Sequence, residues 1–475
     1  MRKFRIPHVF IFLSLLIVLC SILSYIIPSG KFERTKKTFG KIERTLVVPN
    51  SYQEVPKNIS LKSILIGEEV AGKSSPISIF GVFMAIPKGM SSAAELIFFV
   101  FFIGAVFNVI QHTGTINALM YRMMDRFRHR PNMLSFIVFL GVALGATFMG
   151  MGTEFIALVP LFLLVSKELG YDRLYGIAFF LLAEGIGWAT AITNPFNVQI
   201  AQTIAEVPIG SGIWLRIIYF IICFSIGFAY LIWYGKKIKK DPSKRIMADD
   251  PFELDVKFKK EELTKRHIGI AVSFVVLFSA ILYSVQTQGW GLLEMTGGFF
   301  IVGVVTMLIS GMSGDESMRS LVRGLDLMIV PALIIGFARG IQVVMEEGMI
   351  IDTILQYASA SLQTLPKVAA AEGMFVFQGL LNFFIPSASG QALVSMPLMV
   401  PLGDLLSISR QTTVFAYTLG DGWSNLIIPT NGFLMAVLGI AQVPFDKWIK
   451  FIMPIFFIML ALAFVFIAAA VIIGY

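Results

Sequence analysis

The chain has 475 residues, 56% of them hydrophobic and only 14% charged, with 43 Phe and a formal net charge of +8. Mean hydropathy is +0.79. A water-soluble protein of this length carries about twice that charge, so the composition describes a polytopic helical membrane protein. Its basic excess belongs to cytoplasmic loops and gives no support for a nucleic-acid partner.

The chain opens on "MRKFRIPHVFIFLSLLIVLC", a basic head before an apolar run. No small-residue cleavage site follows "SYIIPSG", so this run reads as a retained first helix and not as a signal peptide. Cys20 and Cys223 both lie in apolar runs and read as packing residues, neither a disulfide nor a metal pair. Spanning segments are predicted over 9–27, 95–113, 174–205, 214–234, 267–285, 294–311, 327–345, 412–441 and 450–474. Two further apolar stretches, 132–168 and 368–405, are too long for one helix and are cut by "MGMGTE" and "PSASGQ".

Lys and Arg in short loops set the orientation. The head Arg2-Lys3-Arg5, the group Arg122, Arg126, Arg128 and Arg130, and the loop "YGKKIKKDPSKR" are all expected in the cytoplasm, with the N-terminus. A single crossing by 132–168 would put the basic loops 121–130 and 236–245 on opposite sides. A re-entrant hairpin turning at Gly150–Thr153 keeps both inside. The same reasoning places "MSGDESMRSLVRG" inside and Glu346-Glu347 outside, which makes 368–405 a hairpin entering from outside. The polar segment 28–75 is then external. Arg122–Arg130 with His129 is expected to rest on anionic headgroups as a membrane-lipid contact.

Asn194-Pro195 and Asn431-Gly432 interrupt two of the spans, and 431 − 194 = 237. At that shift Pro160-Leu161 meets Pro397-Leu398, and Arg173 meets Arg410. Glu184-Gly185 meets Asp421-Gly422, while Thr193, Asn194 and Phe196 meet Thr430, Asn431 and Phe433. The tips "GMGTE" and "SASGQ" coincide as well. With the hairpins opposed, this is an inverted-topology repeat. The expected fold is an all-α polytopic membrane protein of about nine transmembrane helices, two opposed re-entrant hairpins and two unwound helices. It divides into a first repeat over 1–234, a cytoplasmic linker over 235–266, a linking helix over 267–293 and a second repeat over 294–475.

Irregular backbone at membrane depth is tolerated only where it is buried in protein or lines a cavity. The two breaks are therefore expected to face the hairpin tips near the midplane. Freed carbonyls there suit cations, and half-helix N-termini suit a carboxylate. The substrate set is Gly152, Thr153, Glu154, Thr193, Asn194, Asn197, Ser387, Ser389, Gly390, Gln391, Thr430 and Asn431. The ion-coupling set is Gly150, Glu184, Asp421 and Asn425.

"TGTINALMYRM", "LGATFMGMGTEFIALVPL", "ELGYDR", "TNPFNVQIAQ" and "PSASGQALVSMPLMVPLGDLLSISRQ" together resemble the YfcC-like members of the DcuC family. These are anaerobic carriers of four-carbon dicarboxylates within the ion transporter superfamily. The resemblance implies a secondary transporter of the bacterial cytoplasmic membrane, a homodimer with a scaffold and a mobile transport domain. It also implies coupling ions and substrate held between hairpin tips and unwound helices. The first tip, Gly150-Met151-Gly152-Thr153, departs from the Ser-Asn-Thr pattern of the sodium–dicarboxylate branch, so sodium ions and protons both stay open as coupling ions.

Charges inside a membrane are costly and mostly functional. Glu154, Glu184 and Asp421 make an acidic pocket, with Arg339 as the main basic residue in a span and a possible ion-pair partner for one of the acids. An amino acid, basic ones first, fits that pocket better than a dianion; a four-carbon dicarboxylate is the alternative small-molecule substrate. The four His (His8, His112, His129, His267) lack metal-ligand spacing, and no Walker A loop is present. Neither cofactor nor ATP is expected, and a channel or a membrane enzyme is the lesser reading. The scaffold is expected to comprise 9–27, 95–113 and 214–234 with 294–311, 327–345 and 450–474, with 267–285 linking the halves.

Overall fold

The computed structural model describes residues 9–39, 42–119, 122, 131–247, 250, 262–288 and 290–475. The basic head, Arg126, Arg128, His129, Arg130 and residues 251–261 of the linker lie outside these. The described chain is predominantly helical, because a continuous apolar run in lipid can satisfy its backbone only within itself. Six helical stretches are long and apolar enough to span a membrane: 94–112, 132–149, 213–240, 292–310, 314–347 and 445–473.

In chain order the first part contains α1 (Val9–Ile26), α2 (Ile79–Ser92), α3 (Ala94–His112), α4 (Pro131–Met149) and α5 (Val159–Glu168). The helices α6 (Arg173–Thr190), α7 (Val198–Ile204), α8 (Ile213–Lys240) and α9 (Lys265–Gln288) follow. The remainder is α10 (Leu292–Ser310), α11 (Gly314–Asp326), α12 (Ile329–Glu347), α13 (Ile351–Leu362), α14 (Lys367–Asn382), α15 (Ala388–Leu405), α16 (Arg410–Ser424), α17 (Gly432–Ile440) and α18 (Phe445–Ile473). The expected spans 174–205 and 412–441 are each two helices with an irregular stretch between. The stretches 132–168 and 368–405 are likewise pairs, α4/α5 and α14/α15.

The all-α expectation needs one correction. The segment 28–75 holds four short strands, β1 (Ser29–Lys31), β2 (Arg34–Phe39), β3 (Ile42–Val47) and β4 (Gln53–Val55). They pair antiparallel as β1–β4, with Gly30 opposite Glu54, and β2–β3, with Lys36 opposite Thr45. Asp352 on α13 anchors this ribbon by accepting from the Phe32 amide at 2.9 Å and pairing with Arg34 at 3.0 Å. The helices α2, α11 and α13 were also not foreseen. Pro87 interrupts the apolar pattern of α2, and α11 carries four charges within its "GDESMRSLVRGLD" besides its last residue, Asp326.

Packing divides the helices into two groups. In one, α12 lies against α1, α2 and α3, while α3 also meets α10 and α11, and α9 meets α10. In the other, α6 packs on α4, α5, α8 and α16, and α16 packs on α14, α15 and α18. The expectation that 214–234 and 450–474 belong with the scaffold is therefore corrected: α8 and α18 stand against the broken helices. The Trp423 indole on α16 donates to Tyr219 on α8 at 2.8 Å, and the Trp448 indole on α18 donates to the Leu426 carbonyl at 2.8 Å. Among the described residues α17 reaches across, lying along α12 with Gly439 facing Pro331, and the 3-10 helix Thr153–Leu158 also packs on α3.

The pair α6/α16 crosses at the two glycines matched by the 237-residue shift. A Cβ on Gly422 would collide with the Ala189 backbone, and one on Gly185 would come within 2.7 Å of Leu426. Close approach needs glycine here. Replacing Gly422 with Leu should overpack the crossing and cost about 1–3 kcal/mol, read as a lowered thermal midpoint of the purified protein in detergent.

Candidate functional site

Helix α6 starts at an Asp172 N-cap, whose carboxylate accepts from the Tyr175 amide at 2.8 Å and the Tyr234 hydroxyl at 2.6 Å. It stops at Ala191, a non-glycine residue held in the left-handed region at φ +35°. Such a conformation persists only where its surroundings hold it. Here Thr147 on α4 accepts from the Ile192 amide at 3.1 Å, and the Thr147 carbonyl accepts from the Thr193 amide at 3.1 Å. The guanidinium of Arg216 on α8, fully buried, donates to the Ala191 carbonyl at 3.2 Å.

The first break continues through Asn194, whose side chain accepts from the Phe196 amide at 2.9 Å and donates to the Ala146 carbonyl at 3.4 Å. Gly150 at the tip sits at φ +68°, and a Cβ there would lie 2.5 Å from Asn194 Oδ1. Gly152 is close to Glu184 and Trp188: an added Cβ would stand 3.3 Å from both Glu184 Oε1 and Trp188 Nε1. The Trp188 indole donates to the Met151 carbonyl at 3.2 Å. Gly150, Gly152, Asn194 and the buried Glu184 are thus gathered at one tip. Thr193 is half-buried and donates to the Phe148 carbonyl at 3.0 Å, tying the break to α4. Thr153 and Glu154 begin the 3-10 helix Thr153–Leu158; the Glu154 side chain lies outside what the structure describes.

At the second break Asn431 repeats the pattern, accepting from the Phe433 amide at 3.0 Å and capping α17. Its amide donates to Asn425 Oδ1 at 3.0 Å. Asn382, at the end of α14, donates to the Asp421 carbonyl at 3.0 Å, to Ser424 at 2.8 Å and to Asn425 at 2.9 Å. One side-chain bond joins the two breaks, from the Asn197 amide to the Asp421 carboxylate. Both residues are fully buried, and Asn197 Oδ1, Asp421 Oδ1, Asn382 Oδ1 and Thr430 Oγ1 have no hydrogen-bond partner. A buried polar atom without a partner costs about 1–3 kcal/mol, so these oxygens are suited to a proton or a small cation.

Other expected residues serve the hairpin itself. Ser387 caps α15 by accepting from the Gly390 amide at 3.4 Å, and Ser389 sits half-buried in the same turn. Gln391 is turned toward α14, donating to Gln378 Oε1 at 2.7 Å. Arg339 donates to Ser92 at 3.1 Å and to Gln342. Sequence reasoning missed Thr147, Arg216 and Asn382. Asn382 left a signal, an amide closing the apolar run "FVFQGLLN" just before the tip.

Arg173 and Arg410 form a reciprocal clasp. Arg173, at the start of α6, donates to the Ala441 carbonyl at the end of α17 at 3.2 Å. Arg410, at the start of α16, donates to the Ala205 carbonyl at the end of α7 at 3.1 Å. Each therefore sits on the negative end of the other broken helix. Asp250 pairs with Arg173 at 2.7 Å, and Asp404 and Glu206 pair with Arg410 at 2.9 and 3.1 Å.

Polar groups buried at helix breaks inside an apolar bundle point to the handling of a solute or ion, and the class they indicate is the multi-pass membrane transporter. The model of the C4-dicarboxylate anaerobic carrier family, DcuC, matches residues 6–472, and the chain belongs to that family. It is 31% identical to an uncharacterized protein of Haemophilus influenzae over 95% of this chain and 94% of that one. It is 30% identical to the Escherichia coli protein described as "Putative basic amino acid antiporter YfcC", over 94% and 93% of the two chains. Among solved structures, the YdaH transporter of Alcanivorax borkumensis is similar with a TM-score of 0.43 at 16% identity, covering 99% of each chain.

The Asn197–Asp421 bond gives a direct test. Asn197→Leu strands a buried carboxylate and should lower stability by about 1–3 kcal/mol. Adding Asp421→Leu should recover part of the loss, because two apolar partners leave nothing unpaired. Thermal unfolding of the two variants beside the parent reads the difference.

Proposed function

We propose that this transporter is a secondary active carrier of a small carboxylate-bearing solute, a basic amino acid ahead of a four-carbon dicarboxylate. The observation that carries the reading is the buried Asn197–Asp421 link between the two breaks, with acceptor oxygens left over on both residues. Asp421 couples transport by taking a proton or a sodium ion, with Asn425 beside it, and Glu184 at the first tip is the second coupling acid. The capped breaks at Asn194 and Asn431 receive the carboxylate, and Glu154 with Glu184 meets the cationic group. The acidic residues and the antiport attributed to the Escherichia coli relative support the amino-acid reading. The dicarboxylate reading is favoured by the family description and by Arg216, whose Nη2 is buried without a partner near the first break.

In this reading the halves are inverted repeats, and 132–168 and 368–405 are re-entrant hairpins opening to opposite sides. The N-terminus is cytoplasmic. The body built on α6 and α16 moves in elevator fashion against the group built on α3 and α12, within a homodimer. Hairpins that share their packing with the broken helices support the moving body.

Proteoliposomes loaded with ornithine should take up arginine by exchange, and Asp421→Asn should uncouple uptake from the driving gradient. Uptake of succinate or fumarate with arginine, ornithine and lysine ignored would leave the dicarboxylate reading standing. For topology, a cysteine placed at Gly170 should react with an impermeant maleimide from the cytoplasmic side; reaction only from outside rejects the inward-opening hairpin.

A further inference from the structure

The two hairpin tips are held unequally. At the 237-residue shift, 383–390 of the second hairpin answer to 146–153 of the first, since 383 − 237 = 146 and 390 − 237 = 153. The first tip is bonded to the broken helix at several points. Thr147 accepts from the Ile192 and Thr193 amides, Phe148 from the Thr193 hydroxyl, Met151 from the Trp188 indole and Ala146 from the Asn194 side chain. Gly150, Met151 and Gly152 are buried. Residues 383–390 have, among the described residues, one hydrogen bond to anything outside their own hairpin. The Tyr417 hydroxyl on α16 donates to the Ala388 carbonyl. Pro386, Ser387, Ala388, Ser389 and Gly390 are all half-buried.

The arms on either side of this stretch are fixed. A Cβ on Gly420 would stand 2.6 Å from the Phe375 carbonyl, so α14 lies hard against α16, and Asn382 is bonded to Asp421, Ser424 and Asn425. On α15, Gln391 donates to Gln378 at 2.7 Å and Ser395 donates to it at 3.0 Å. Ala392, Met396 and Val400 pack with Val198, Ala201 and Ala205 of α7. The loose stretch therefore begins after Asn382, ends before Gln391 and is pinned between them by Tyr417. Its attachments to α16 bracket Asp421, with Tyr417 one turn before it and Asn425 one turn after. The Tyr417 ring belongs to the apolar cluster of α7 and α15, and its hydroxyl alone is bonded to the tip. The carbonyl it holds is a matched one: Ala388 answers to Met151 at the same shift, and Met151 is held by Trp188 at 3.2 Å. Tyr417 itself answers to Phe180, which has no hydroxyl, so the two tips recruit aromatic donors from different turns.

We propose that residues 383–390 form a lid beside Asp421 that opens between the fixed points Asn382 and Gln391, with Tyr417 as its latch. The first tip, bonded at several points, stays shut. Tyr417 is a positioning residue, acting on a solute or ion only through the tip it holds. The inference rests on the proposed carrier function for what passes under the lid, and on the bonding of the two tips for the motion itself. One bond is a small barrier to local opening, whereas several must be lost together at the first tip.

Amide hydrogen exchange of the purified full chain in detergent tests the lid with no solute present. In the unaltered protein, protection factors over 383–390 should be about tenfold lower than over 146–153, a ratio that corresponds to about 1.4 kcal/mol. Tyr417→Phe keeps the ring and removes the hydroxyl. It should lower protection over 383–390 by about a further tenfold while 146–153 and α12 keep their rates. Trp188→Phe should change 146–153 much less, because the bonds at Thr147 and Phe148 remain. Protection over 383–390 equal to or higher than that over 146–153 in the unaltered protein overturns the lid. Tyr417→Phe leaving 383–390 unchanged, or lowering protection equally over 146–153 and α12, overturns the latch. Exchange is read without solute, so a failed uptake assay with arginine and succinate sinks the proposed function alone. Intact uptake with equally protected tips sinks this inference alone.

Discussion

Everything in this structure depends on replacing backbone hydrogen bonds where a helix stops inside an apolar bundle. Each unsatisfied amide or carbonyl in such surroundings is expensive. At the first break the substitutes are the Thr147 hydroxyl, the Asn194 side chain and the Arg216 guanidinium. At the second they are Asn431, which accepts from the Phe433 amide, and Asn382, which donates to the Asp421 carbonyl. Thr147, Arg216 and Asn382 come from neighbouring helices, so each break depends partly on the helix beside it. This joins the hairpins to the broken helices more firmly than apolar contact alone would.

The arginine clasp shows how two halves of one chain solve the problem together. A helix of seven residues such as α7, or of nine such as α17, gains little from its own few bonds. A cation at its last carbonyls compensates for part of that shortfall. The two arginines are not equivalent in setting, however. The Arg173 side chain is 7% exposed and that of Arg410 is 37% exposed. The matched contacts therefore sit in a buried and an open environment.

Much of this was legible in the chain. The breaks announced themselves because Asn-Pro and Asn-Gly stand in apolar runs, and the 237-residue shift paired Arg173 with Arg410 and Gly185 with Gly422 before any contact was known. What stayed hidden has physical reasons. Helix α2 is apolar but carries Pro87, and α11 is too polar to resemble a span. The grouping of α8 and α18 with the broken helices rests on Tyr219–Trp423 and on Trp448–Leu426, contacts between distant segments that no local pattern encodes. Arg216 lies near the start of an apolar run, and only folding places it under Ala191. Arg339 looked buried among acids, yet Ser92 and Gln342 take its bonds.

The seam between α12 and α17 has a further consequence. Its contacts are Gly439 on Pro331 and Gly432 near Leu96 and Ile335, and among the described residues no hydrogen bond crosses between the two helices. Polar bonds are specific in direction and are lost on displacement, whereas apolar surfaces exchange one neighbour for another at similar cost. If the proposed motion slides α17 along α12, no buried donor or acceptor between these two helices has to go unpaired along the way.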